Sequence, residues 1–238
     1  MPKICAECGK ENRDAAKFCN GCGYKFPDAT GQKGSTKDKD NAPTKNKVSL
    51  KKLTEYMISG NITAIKEHEA NGDLKNAVYE QKRTPLHIAA QLGVIEIIKL
   101  FVKNQHDTNT KDNFGSTPLL TALEFGHIKA AEYLIEQKSD INIQDNTGIS
   151  PVDLAIRLQD VNLVEKLLSK GAKVNVSDKI GWTPLHRASF LGNKKITELL
   201  IANDADINKK DNNNITPLAY AEQEGHKDVE KYLKSLKK

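Results

Sequence analysis

From residue 48 onward, apolar residues fall in short bursts at helical spacing, and the bursts themselves return every 33 residues. Ile97, Ile98 and Phe101, then Ala130, Ala131 and Leu134, then Leu163, Val164 and Leu167, then Ile196 and Leu200 each mark one apolar face of a short helix. A second set of landmarks keeps the same period. Pro85, Pro118, Pro151, Pro184 and Pro217 stand in TPLH, TPLL, SPVD, TPLH and TPLA, and Ala89, Ala122, Ala155, Ala188 and Ala221 follow four residues later. Thr or Ser before Pro predicts a helix start, because the hydroxyl accepts an unpaired first-turn N–H and the proline has none to lose. The small alanines predict a neighbouring helix pressed close, and Gly93, Gly126, Gly192 and Gly225, with Gln159 in the third unit, predict a break before a second helix.

Each unit is therefore predicted as helix, turn, helix and extended loop. The loops carry DNFG, DNTG and DKIG, which read as tight turns built on Asp, Asn and Gly, and Asn109, Asn142, Asn175 and Asn208 share the 33-residue spacing. A fixed period of this length implies a stack in which no unit buries its apolar face alone. Gln105, Lys138 and Asp204 occupy the place where Gly171 would adopt a left-handed cap most easily, so strain is predicted there and at Gln159. At the far end Glu230 and Lys234 replace apolar residues of earlier units, which predicts a polar face closing the stack and a monomeric chain.

Composition divides the chain further. Residues 1–26 hold all four cysteines; residues 27–47 lack large apolar side chains and read as a tether of about 25 Å in the flexible-chain regime. Residues 48–78 form a degenerate first unit without the Thr-Pro start, and residues 79–238 hold five regular ones, the last a cap. The net charge of +5 is modest and rests on lysine, the arginines being Arg13, Arg83, Arg157 and Arg187 alone, which weakens a nucleic-acid reading. The N-terminus has no leader-like apolar run, and VIEIIKLFV at 94–102 is too short to span a bilayer and is interrupted by Glu96 and Lys99, so a cytoplasmic protein with no membrane association is expected.

Cys5, Cys8, Cys19 and Cys22 form two CxxC pairs, each followed by a glycine, Gly9 or Gly23. Four thiolates suit one tetrahedral zinc ion, and four protein ligands leave no open position for substrate, so one structural zinc is expected. Ile4, Phe18, Tyr24 and Phe26 are too few to fold the segment without it.

The TPLHIAA run, the glycine between helices and AKVNVSD, repeated at 33 residues, resemble the ankyrin repeat over roughly residues 48–238, and the cysteine segment resembles the short zinc ribbons. The resemblance implies a mainly α fold: an ankyrin-repeat solenoid with a small N-terminal four-cysteine zinc ribbon. It also implies that His87 and His186, three units apart, tie a turn to the neighbouring repeat and do no chemistry. No Ser/His/Asp set, phosphate-binding glycine loop or carboxylate pair stands out, so an enzyme is not expected.

Ankyrin-like arrays recognise protein partners through loop tips and the exposed side of the first helix. Those positions here include Phe114, Phe125, Arg157, Leu158, Ile180, Trp182, Phe190 and Leu191, rich in apolar residues for a chain with one tryptophan. The expected function is a protein-binding adaptor, with a nucleic-acid-associated regulator acting through the ribbon as the alternative.

Overall fold

The computed structural model describes residues 3–4, 11–12 and 48–236. The chain divides into two units, Met1–Thr44 and Lys45–Lys238. In the first, strands β1 (Lys3–Ile4) and β2 (Glu11–Asn12) pair antiparallel, with Lys3 opposite Asn12 and Ile4 opposite Glu11.

In the second unit the α-helices among the described residues run in pairs: α1 (Leu50–Ile58) and α2 (Ile62–Ala70), α3 (Pro85–Leu92) and α4 (Ile95–Lys103), α5 (Pro118–Glu124) and α6 (Ile128–Glu136), α7 (Pro151–Arg157) and α8 (Val161–Ser169), α9 (Pro184–Leu191) and α10 (Lys194–Ala202), α11 (Pro217–Gln223) and α12 (Lys227–Leu236). The first helices of successive pairs stack on one another and so do the second helices from α4 to α12, giving two layers. Among the described residues no helix is long and apolar enough to cross a membrane.

The predicted helix starts are where they were expected. Thr84, Thr117, Ser150, Thr183 and Thr216 each accept a backbone N–H with the side-chain oxygen, one residue ahead of the proline. Without that start, α1 uses Ser49 in the same way. Ala89, Ala122, Ala155, Ala188 and Ala221 are fully buried, as are Ile97, Ile98, Phe101, Leu134, Val164, Leu167, Ile196 and Leu200 of the second helices. These two columns of side chains form one core from Val48 to Ala205 and a smaller one in the last repeat, Leu218, Ala221, Val229 and Leu233, with Ile201 and Ile207 packed against both, which is how units too small to fold alone are held.

Gln105, Lys138 and Asp204 have φ of +62°, +61° and +66°, beside +88° for Gly171, and Gln159 has +56° in place of an interhelical glycine. At the end of the stack the outward side of α12 is polar, and Lys234 reaches Glu230 at 2.7 Å and Glu222 at 2.9 Å.

The histidines join repeats. In His87, Nδ1 accepts the Thr84 amide at 3.1 Å, so the proton sits on Nε2, which donates to the Ser116 carbonyl of the next unit at 3.0 Å. His186 repeats this with Thr183 and the Ile215 carbonyl, at 3.1 Å each. Burial pushes both imidazoles below the usual histidine range. From the interhelical turns, His127 and His226 donate through Nε2 to the carbonyls of Gln91 and Phe190 in the preceding unit, at 2.9 Å each. The asparagine column bridges units as well: Asn109, Asn142 and Asn175 each accept, at 2.8 Å, a backbone N–H of the next unit, from Asp140, Lys173 and Asp206.

Candidate functional site

The loop tips are built by aspartates 33 residues apart. Asp112, Asp145, Asp178 and Asp211 each accept two backbone N–H groups of their own turn with Oδ1, in Asp178 from Ile180 at 3.0 Å and Trp182 at 2.9 Å. Gly115, Gly148 and Gly181 then take positive φ to close the turn. Adjacent tips are joined through the backbone: the Asn146 amide donates to the Phe114 carbonyl at 2.8 Å, Lys179 to Thr147 at 2.9 Å and Asn212 to Ile180 at 3.2 Å. With both backbone ends held, Phe114 and Ile180 carry their side chains into solvent, 47% and 54% exposed.

The first helices supply the rest of this face. Leu158, capping α7, and Phe190, in α9, are 36% and 37% exposed. Arg157 is exposed; Phe125 and Leu191 are half-buried, and Leu191 packs against the core.

Trp182 differs from its expected role as a free surface anchor. It is half-buried, and its indole N–H is shared between Asp211 Oδ2 at 3.2 Å and the Tyr220 hydroxyl at 3.0 Å, both in the next unit. Tyr220 in turn donates to Asp211 Oδ2 at 2.6 Å. Burial pushes the Asp211 carboxyl up, and hydrogen bonds from Tyr220, the Ile215 and Asn213 amides and Trp182 outweigh it, leaving its pKa lowered. Burial and then Asp211 push the Tyr220 hydroxyl up, so it remains a donor at neutral pH. The Trp182 ring lies 4.8 Å from Tyr220 and 5.3 Å from Phe190, centre to centre. Trp182 is thus the base on which Phe190 rests.

Arg187 completes the arrangement. Its guanidinium lies 5.4 Å from the Trp182 ring, and it donates to Asp178 at 2.9 Å and to the buried Asp153 of the preceding unit at 3.4 Å. Burial pushes the Asp153 carboxyl up despite Ser150 and Arg187. The structure therefore gathers Ile180, Trp182 and Phe190 into one locality, while Phe114 and Phe125 belong to earlier units. Tyr220, Asp211 and Asp153 escaped the sequence reading; the one signal was a tyrosine where the earlier repeats have Ile88, Thr121, Leu154 and Arg187.

Cys5, Cys8, Cys19 and Cys22 lie outside the described residues. What is described is the pairing of β1 with β2, which bracket Cys5 and Cys8 in sequence. Four thiols in two CxxC pairs are a donor set that fits zinc. Among the described residues no cluster of three His, Cys, Asp or Glu is arranged for a metal.

A family model of ankyrin repeats in three copies matches residues 51–145 and 151–238, and one of a zinc-ribbon domain matches residues 4–26. No curated protein matches the chain.

Proposed function

The chain belongs to the ankyrin-repeat family, and from that premise we propose that it is a non-enzymatic adaptor whose tip and first-helix face binds a protein partner. The observation that carries this reading is the exposed pair Ile180 and Phe190 beside Trp182, whose indole is locked to Asp211 and Tyr220. Exposed apolar side chains on a rigid base lose little freedom on binding, which is what interface anchors require. Phe114, Leu158 and Arg157 extend the same face, with Phe125 and Leu191 at its edge. The non-enzymatic reading is supported by the histidines: His87, His127, His186 and His226 are each engaged on a carbonyl of a neighbouring repeat.

Within the ribbon, Cys5, Cys8, Cys19 and Cys22 would hold one zinc ion, which supplies folding free energy to a segment with few apolar residues. Four free thiols serving as metal ligands fit a reducing, cytoplasmic setting. Joined by the tether, ribbon and repeats act as two linked modules, each able to raise the apparent affinity of the other.

The experiment is affinity capture from nuclease-treated extract with the wild type and an Ile180→Ala, Phe190→Ala variant, followed by direct titration of the purified captured protein. Loss of about 2 kcal/mol or more of affinity in the variant, with weak dependence on salt, is expected. Equal affinity of both forms, or retention that vanishes with nuclease, overturns the reading.

A further inference from the structure

The first interface of the stack is built differently from the later ones. At the end of each second helix the later repeats place an apolar residue and, in the loop of the following unit, a small one: Val102 and Ser139, Ile135 and Ala172, Leu168 and Ala205. The corresponding residues at the first interface are Glu69 and His106. Their side chains are 5% and 3% exposed, and Glu69 Oε1 accepts from His106 Nε2 at 2.9 Å. Glu69 Oε2 is buried as well and has no hydrogen-bond partner.

The packing follows from that exchange. Helices α4, α6, α8, α10 and α12 stack as one layer, whereas α2 stands off from α4 across an open cleft of about 510 Å³ whose walls include Glu69, Ala70, Leu100 and Lys103. A small residue at 139, 172 or 205 leaves room for the preceding helix to close in. At the first interface the His106 ring takes that room, seated against Phe101 with ring centres 4.6 Å apart. The cross-repeat hydrogen bonds are missing too. Each later interface carries a backbone bond between loop tips, beginning with the Asn113 amide on the Gln81 carbonyl at 2.8 Å. Among the described residues no bond joins the corresponding Glu80 amide and Val48 carbonyl, and Asn76 does not take the Asp107 amide as Asn109 takes that of Asp140. Helices α1 and α2 nonetheless pack on each other, with Leu53, Met57 and Ile65 fully buried.

We infer that the first repeat is a hinged cap which opens as one unit, α1 together with α2, while the rest of the stack stays folded, and that Glu69 and His106 form its latch. An apolar pair holds an interface by burial alone. The polar pair must first lose its water, and one carboxylate oxygen finds no donor in exchange, so closure is weak. Each member still depends on the other, because removing one leaves its partner buried and unpaired. Opening uncovers His106 and the edge of Phe101, and leaves Ile180 and Phe190, in later repeats, where they are.

The test is native-state hydrogen exchange on the full chain, read helix by helix at increasing urea below the unfolding transition. The most protected amides of α1 and α2 are expected to share one opening equilibrium, at least about tenfold more open than that of α5 to α10. His106→Ala, which strands the Glu69 carboxylate, should raise that opening about tenfold or abolish protection of α1 and α2 altogether, with α5 to α10 unchanged. Glu69→Leu combined with His106→Ala copies Leu168 and Ala205, and should reverse the sign, closing the cap about tenfold beyond the wild type. Protection of α1 and α2 equal to that of α5 to α10, separate opening of α1 and α2 as in ordinary end fraying, no effect of His106→Ala, or a double variant no more closed than the wild type overturns the proposal.

Discussion

Gly93 lies directly under the imidazole of His127: a Cβ built on this glycine would overlap the His127 ring, whose Nε2 reaches back to the Gln91 carbonyl. Gly192 and His226 repeat the arrangement. Gln159 stands where a glycine is usual, and the residue that would cover it in the next unit is Asn193. Glycine is thus required by the neighbour as well as by the positive φ. Gly93→Ala should lower the unfolding free energy by about 2–4 kcal/mol, from left-handed strain and overlap together. Adding His127→Ala should restore the part due to overlap, read as a positive coupling in a urea-melt double-mutant cycle. Simple additivity would show that the contact is absent.

Arg187 holds two carboxylates that are nearly buried, Asp153 and Asp178, whose side chains are 2% and 6% exposed. Removing the guanidinium leaves both charges without their cation, so Arg187→Ala should cost about 3 kcal/mol of stability. Because burial pushes the Asp153 carboxyl up, its ionised form is the burdened one, and Asp153→Asn in the Arg187→Ala background should recover part of the loss. Thermal melts of the two variants decide the matter; no recovery would place the loss in Arg187 packing against Trp182.

His87 and His186 are expected to set an acid limit on the stack. Burial lowers both pKa values, so the folded state keeps them neutral while the unfolded chain takes up protons below about pH 6.5. Their contribution is therefore complete above that pH and declines as pH falls through the window beneath it. Urea midpoints at pH 8 and pH 5 should differ less in His87→Leu, which copies Leu120 of the next repeat, even though that variant starts about 1 kcal/mol lower at pH 8. A parallel drop in both proteins would move the acid sensitivity elsewhere.

The helix starts, the buried alanine column and the left-handed positions were legible because each depends on residues within one or two turns of the chain: Thr84 caps its own helix, and Gln105 bends its own backbone. The role of His87 followed from a repeated motif. Trp182, by contrast, reads as an exposed aromatic until its indole is seen on Asp211 and Tyr220, 29 and 38 residues away. Glu69 and His106, 37 residues apart, look like ordinary surface residues, although the column Val102, Ile135, Leu168 and Ile201 marks position 69 as facing inward. Partners brought together by stacking leave little local trace.

With zinc as the only support proposed for the ribbon, chelation should act on one module alone. The protein as purified should carry one zinc per chain, lost in Cys8→Ser or on treatment with a strong chelator. The cooperative melt of the repeats, followed by far-UV circular dichroism, should stay in place, since no cysteine contributes to their core. A repeat melt that shifts on chelation would show that the two modules depend on each other.

The left-handed caps separate strain from packing. Gln105, Lys138 and Asp204 hold φ of +62°, +61° and +66°, in the left-handed region that Gly171 also adopts at the corresponding place in the third regular repeat. For an L residue this conformation costs about 1 kcal/mol, while glycine brings a looser unfolded chain that offsets part of the gain. Lys138 is exposed, so its side chain has little packing to lose. Lys138→Gly should therefore raise the unfolding free energy by up to about 1 kcal/mol, and Gly171→Ala should lower it by at least as much. Hydrogen exchange should report the same hierarchy locally, with slower opening at the end of α6 in Lys138→Gly. Protection that is already uniform along the wild-type stack, or a loss of stability in Lys138→Gly, would show that these positions are not strained.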